Sequence, residues 1–133
     1  MRLICGLFLS LWAAGAVVAQ EQISPDEFLR RAGHNTLTFS TFPGEEPVGV
    51  EQFLPRQRTV WARSDGRCTY GQITLEGPYV CFRYEDDSHQ THCWVPYVFE
   101  DRLFVRAENG AVQQVSRITQ EPVQCSDALL SSG

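Results

Sequence analysis

His89, His92 and Cys93 lie close together in the chain, with Cys81 upstream, and these are residue types that ligate zinc. A structural zinc site needs thiolates at tight spacing, and the chain has no Cys-x-x-Cys. In an oxidising compartment these sulfurs form a disulfide instead, so no metal site is expected. Glu85-Asp86-Asp87 offers three consecutive carboxylates, but not the alternating Asp-x-Asp-x-Asp-Gly spacing that wraps a calcium ion. Adjacent acids on one loop also cannot flank a sugar from two sides, as a glycosidase requires. They read as a solvated hairpin tip. No Gly-x-Ser-x-Gly is present, and His34, between Gly33 and Asn35, reads as a turn residue. No catalytic residue is assigned, no cofactor is implied, and the chain is read as not an enzyme.

Arg56, Arg58, Arg63 and Arg67 form the one basic concentration, with Trp61 among them. Arginine grips carboxylates and phosphates with two parallel hydrogen bonds and stacks on aromatic faces. Arg56, Arg58, Trp61 and Arg63 are therefore the candidate binding surface, suited to an acidic partner or a glycan. Strand parity places Trp61 opposite Arg56 and Arg58. The competing reading is a strand edge whose arginines pair with neighbouring glutamates.

The 133 residues carry 11 basic and 16 acidic side chains, and every basic residue is Arg. Without Lys there is no Schiff-base chemistry and no phosphate-loop NTPase. A net charge of -5 argues against nucleic acid as a partner, since binding it takes a basic stripe that displaces counterions. The hydrophobic share of 43% is that of a globular core.

Residues Met1 to Ala19 have the pattern of an export signal: Arg2, an apolar stretch from Leu3 to Val18, and small residues before Gln20. The alternative is an uncleaved anchor, for which the stretch is slightly short of the ~20 residues that span a bilayer. Cleavage leaves residues 20–133 as a single β-rich domain with a short flexible C-terminal tail and no stable membrane span. The expected location is periplasmic or secreted. Cys5 is removed with the signal, and Cys68, Cys81, Cys93 and Cys125 remain, an even number that reads as two disulfides. Four cysteines allow three pairings.

The elements follow from turn chemistry and periodicity. Ser24-Pro25-Asp26-Glu27 starts a short helix, with Ser24 as cap, Pro25 at the first helical position and Gly33 placed to end it. From Asn35 onward the signals are β. Strands are predicted at Thr36–Ser40, Val48–Leu54, Arg58–Arg63, Cys68–Leu75, Tyr79–Tyr84, Thr91–Val98, Leu103–Ala107 and Val112–Thr119, with turns between them. The chain has no room for crossover helices. The expected fold is mainly β: an antiparallel meander of about eight short strands, closed or nearly closed into a barrel, with a short N-terminal helix. If the turn after Tyr84 centres on Asp87, Cys81 and Cys93 face each other on adjacent strands, which leaves Cys68 for Cys125.

Several of these segments resemble a group of small exported alphaproteobacterial proteins classed as domains of unknown function. The resemblance runs from about Ser24 to Trp94. It is carried by Gly33-x-Asn35-Thr36, Gly49-Val50-Glu51-Gln52-Phe53-Leu54-Pro55 and Arg58-x-x-Trp61. It continues in Cys68-x-x-Gly71, Gly77-x-x-Val80-Cys81-Phe82-x-Tyr84-Glu85 and Cys93-Trp94. Ile73 stands where such proteins often carry an aromatic. The resemblance implies a compact periplasmic β domain and transfers no catalytic residue. The expected function is a non-catalytic binding or interaction module acting on an unknown protein or small ligand in the cell envelope. The alternatives are an envelope accessory subunit held by an uncleaved N-terminal segment and, last, a hydrolase with a site assembled across strands.

Overall fold

In a computed structural model of the chain, the described residues are Trp12, Gly15 and residues 19–126. The expected export signal therefore lies almost wholly outside the described residues, as does the chain end from residue 127. No helix among the described residues is long and apolar enough to cross a membrane.

The fold is an eight-stranded antiparallel barrel in simple meander order. Strands β2 (Thr36–Thr41), β3 (Pro47–Leu54), β4 (Arg58–Arg63), β5 (Cys68–Glu76), β6 (Tyr79–Tyr84), β7 (His92–Phe99), β8 (Arg102–Ala107) and β9 (Val112–Thr119) each pair with the next. β9 returns to pair with β2, which closes the sheet and leaves no long edge unpaired. One further strand, β1 (Glu21–Gln22), adds to the outside and pairs with Val98 and Tyr97 of β7. β6 pairs with β7 only from His92 to Trp94. Pro96, which has no N–H to donate, sits where β7 exchanges β6 for β1.

Helix α1 (Pro25–Ala32) stoppers one end of the barrel. The Ser24 hydroxyl accepts the Glu27 N–H at 3.1 Å, capping the helix as its sequence implies. The reciprocal half of the capping box does not form, because the Glu27 carboxylate turns to Arg30 and Arg31 instead. Burial fixes an eight-residue helix that would be marginal alone. Phe28 and Ala32 are fully buried, and the Phe28 ring meets Phe53 edge-on at 5.9 Å. Leu37, Phe53, Ile73, Val80 and Leu103 pack with them as the apolar core. Gly33 does not supply a left-handed residue at the helix end, since its φ is -56°; His34, at 64°, takes that conformation.

A second, smaller core lies outside the barrel wall. Val60, Ala62 and Cys68 pack against Val123, with Val50, Leu54 and Tyr70 around them. The Cys68–Cys125 disulfide fastens the chain here, helped by hydrogen bonds from Val123 N–H to Gln52 and from Ser126 N–H to the Gly66 carbonyl. The chain is thus docked on the outer wall as far as Ser126. The second disulfide joins Cys81 to Cys93, directly opposite each other on β6 and β7 with Cα atoms 4.0 Å apart.

Candidate functional site

Strand alternation sends every second side chain into the barrel. At the end away from α1 these inward residues do not meet, and they leave a cavity of about 290 Å³. Phe28 forms its floor. Phe39 from β2, Trp61 from β4, Phe82 and Tyr84 from β6, and Trp94 from β7 line its walls. The rings form a connected belt. Phe39 meets Trp61 and Trp61 meets Tyr84, each at 6.3 Å, and Phe82 stacks on Tyr84 at the same separation. The mouth is polar: Arg63, Asp86, Asp87, His92 and Gln113 stand around it.

Two glycines make room for two of these rings. A Cβ on Gly49 of β3 would lie 2.5 Å from the Trp61 indole. A Cβ on Gly71 of β5 would lie 2.4 Å from the Thr59 hydroxyl and 2.8 Å from the Tyr84 ring. Neither glycine sits in a turn; each lets an aromatic from the neighbouring strand lie flat across its backbone. Tyr84 is thereby aimed at β3.

Its target is Glu51. This carboxyl is 1% exposed, in the middle of the barrel, and faces the cavity. The Tyr84 hydroxyl donates to Glu51 Oε1 at 2.9 Å. Glu51 Oε2 has no hydrogen-bond partner, and neither does the nearby Thr59 hydroxyl. Burial pushes the Glu51 carboxyl up to about 8; the Tyr84 hydrogen bond and the proximity of Thr59 oppose the rise without cancelling it. Desolvation is the largest cause and governs the site. Tyr84 is held well above the ordinary tyrosine range, by burial first and by the Glu51 charge second, and so stays a donor. A carboxyl oxygen buried without a partner costs free energy that a hydrogen-bonding group arriving in the cavity would recover. The arrangement can therefore hold a small molecule with an apolar body and one hydrogen-bonding head, or exchange a proton with it.

The residues singled out from the sequence fall on both sides of the wall. Arg56, Arg58, Trp61 and Arg63 do not make one surface. Trp61 and Arg63 point into the barrel, and Arg63 pairs with Asp86 at the mouth. Arg58 points outward, over the Tyr70 ring at 5.5 Å, along a shallow groove shared with Arg83. Arg56 lies in the turn after β3, with φ 63°. Parity divides them as alternation requires. The His and Cys residues near position 90 divide likewise: His92 faces the cavity, 3.7 Å from Asp87, whereas Cys93 is bonded to Cys81. The Glu76 carboxylate lies beside that disulfide, whose sulfurs are no longer thiolates able to hold a metal.

Glu51 was not among the candidate residues read from the sequence. The signal that could have found it is the pair of glycines, Gly49 and Gly71, inside predicted strands. Ile73 is part of the apolar core. Comparison with family models, curated proteins and solved structures finds no match to the chain.

Proposed function

We propose that the protein is a non-catalytic binding module that holds a small organic ligand in its barrel, in the periplasm or outside the cell. One observation carries this reading: a cavity walled by aromatic rings, open at one end, with the buried and only partly hydrogen-bonded carboxyl of Glu51 in its lining. Closed eight-stranded barrels suit such work because closure supplies both rigid walls and a single mouth. Two disulfides favour an oxidising, extracytoplasmic compartment. The test is a thermal-shift screen of small polar and aromatic molecules against the mature chain and against Val105→Trp, which fills the cavity from β8. Ligands that stabilise the first and not the second support the proposal. A screen in which no compound separates the two removes it.

A second reading has one observation in its favour. A carboxyl that titrates near neutrality, beside a tyrosine hydroxyl, is also what a proton-transfer enzyme uses. Turnover of a bound compound that stops in Glu51→Gln would replace the binding module with an enzyme. An anchored accessory subunit is separated from both by the intact mass of the isolated protein, since a start at Gln20 excludes an N-terminal anchor.

A further inference from the structure

We infer that the ligand of this barrel is a small primary amine, its ammonium group bound by Glu51 and its apolar body held among the rings of Trp61, Phe82, Tyr84 and Trp94. The inference rests on the binding-module reading and names the chemical class that would satisfy it.

Three observations converge on it. First, Glu51 Oε2 and the nearby Thr59 hydroxyl are buried without a well-formed hydrogen bond, so the carboxyl has capacity for a ligand. Second, the surrounding rings present negative faces, which attract a cation that a plain apolar pocket would repel. Third, the charged lining is predominantly acidic. Asp86 and Asp87 stand against Arg63, whose guanidinium is already engaged by Asp86, and Glu51 adds a third negative charge when it ionises. An anionic ligand would meet the acidic mouth and would forbid Glu51 from ionising beside it. A quaternary ammonium would satisfy the rings but has no N–H for Oε2. The size follows from the cavity: about 290 Å³ lies near the lower limit of ligand pockets, so the body is one ring or its equivalent.

The proton balance gives the test its signature. In the empty barrel Glu51 keeps its proton until about pH 8. An alkyl ammonium, which like lysine holds its proton to about pH 10, arrives charged. Binding then ionises Glu51, and its proton leaves for solvent: ammonium and carboxylic acid enter, the ion pair forms, and one proton is released. Besides Tyr84, the titratable and charged groups facing this space are Arg63, Asp86, Asp87 and His92; β2, β8 and β9 contribute Phe39, Val105 and Gln113.

Three probes with one aryl body separate the possibilities: phenethylamine, phenethyl alcohol and phenylacetate, measured by calorimetry in buffers of different ionisation heat. The amine should bind most tightly, gain about tenfold in affinity per pH unit from pH 6 towards 8 and level off above it. It should release close to one proton at the acid end of that range. Glu51→Gln should cost the amine about thirtyfold or more at pH 8, abolish the slope, and leave the alcohol nearly unchanged. His92→Gln should keep the slope, whatever it does to the affinity. If amine and alcohol bind equally and without pH dependence, the amine assignment is overturned while the binding module stands. If phenylacetate binds best, Glu51 is a donor and the assignment is likewise overturned. If no probe binds the wild type, the amine class is rejected, and the broader screen alone decides the binding module.

Discussion

The Tyr84 hydroxyl reaches across the barrel to Glu51, 33 residues earlier in the chain, and donates to one carboxyl oxygen at 2.9 Å while the other oxygen is left without a partner. Tyr84 can do so because Gly71, on the strand between β4 and β6, leaves its ring room to lie flat. A buried acid, an aimed donor and a glycine bed are thus one device.

Glu51 should make the folded state less stable as pH rises. Its proton leaves the unfolded chain near the ordinary glutamate value but leaves the folded protein only at about 8. Between those values the folded state binds more protons, so its stability is complete at the acid end and falls through the interval. The fall is on the order of 5 kcal/mol. Urea titrations from pH 5 to 9 should show this fall in the wild type and a much flatter profile in Glu51→Gln.

Gly71→Ala should cost about 1–3 kcal/mol, because the added methyl meets the Thr59 hydroxyl and the Tyr84 ring inside a packed wall. Gly77 provides the contrast. Nothing lies near its Cβ position, so Gly77→Ala bears only the left-handed backbone penalty of about 1 kcal/mol. Ligand binding should weaken in the first variant and not in the second, as parallel denaturation and binding titrations would show.

The two disulfides should differ in what their loss does. Cys81 and Cys93 close a short loop, with a sequence separation of 12, and Cys68 and Cys125 a long one, with a separation of 57. Replacing Cys81 and Cys93 with Ser should lower stability by about 2–4 kcal/mol and leave a β circular-dichroism spectrum. Replacing Cys68 and Cys125 should also free the segment around Val123 from the outer wall, which hydrogen exchange at Val123 and Ser126 would report.

Phe28→Ala should cost about 3–5 kcal/mol, since Phe28 is fully buried and forms the floor of the cavity. Ser24→Ala, which removes the cap of the same helix, should cost only about 1 kcal/mol. Thermal melts of the pair would show whether α1 acts chiefly through its buried ring.

Much of this architecture is local, and local patterns are visible in a linear chain. Gly, Pro and Asp-rich turns set the strand boundaries, alternation named the strands, and the lack of crossover segments implied a meander. The Cys81–Cys93 register follows from the length of one turn, because facing residues in a hairpin are fixed by counting. Other features depend on contacts between distant segments. In β3 alternation sets Val48, Val50 and Leu54 against Gly49, Glu51 and Phe53, and by polarity alone the valine face is the better candidate for the interior. The glutamate face turns inward instead. On the valine face Val50 and Leu54 are covered from outside by the docked segment around Val123, and Val48 packs against the main core, so both faces of β3 are shielded and the usual polarity rule has nothing to discriminate. Sequence determined the strands, their order and which residues share a face. Tertiary structure alone decided which face became the inside, because that depends on barrel closure and on where the C-terminal segment comes to rest. It thereby decided that Glu51 and Tyr84 would meet in a cavity.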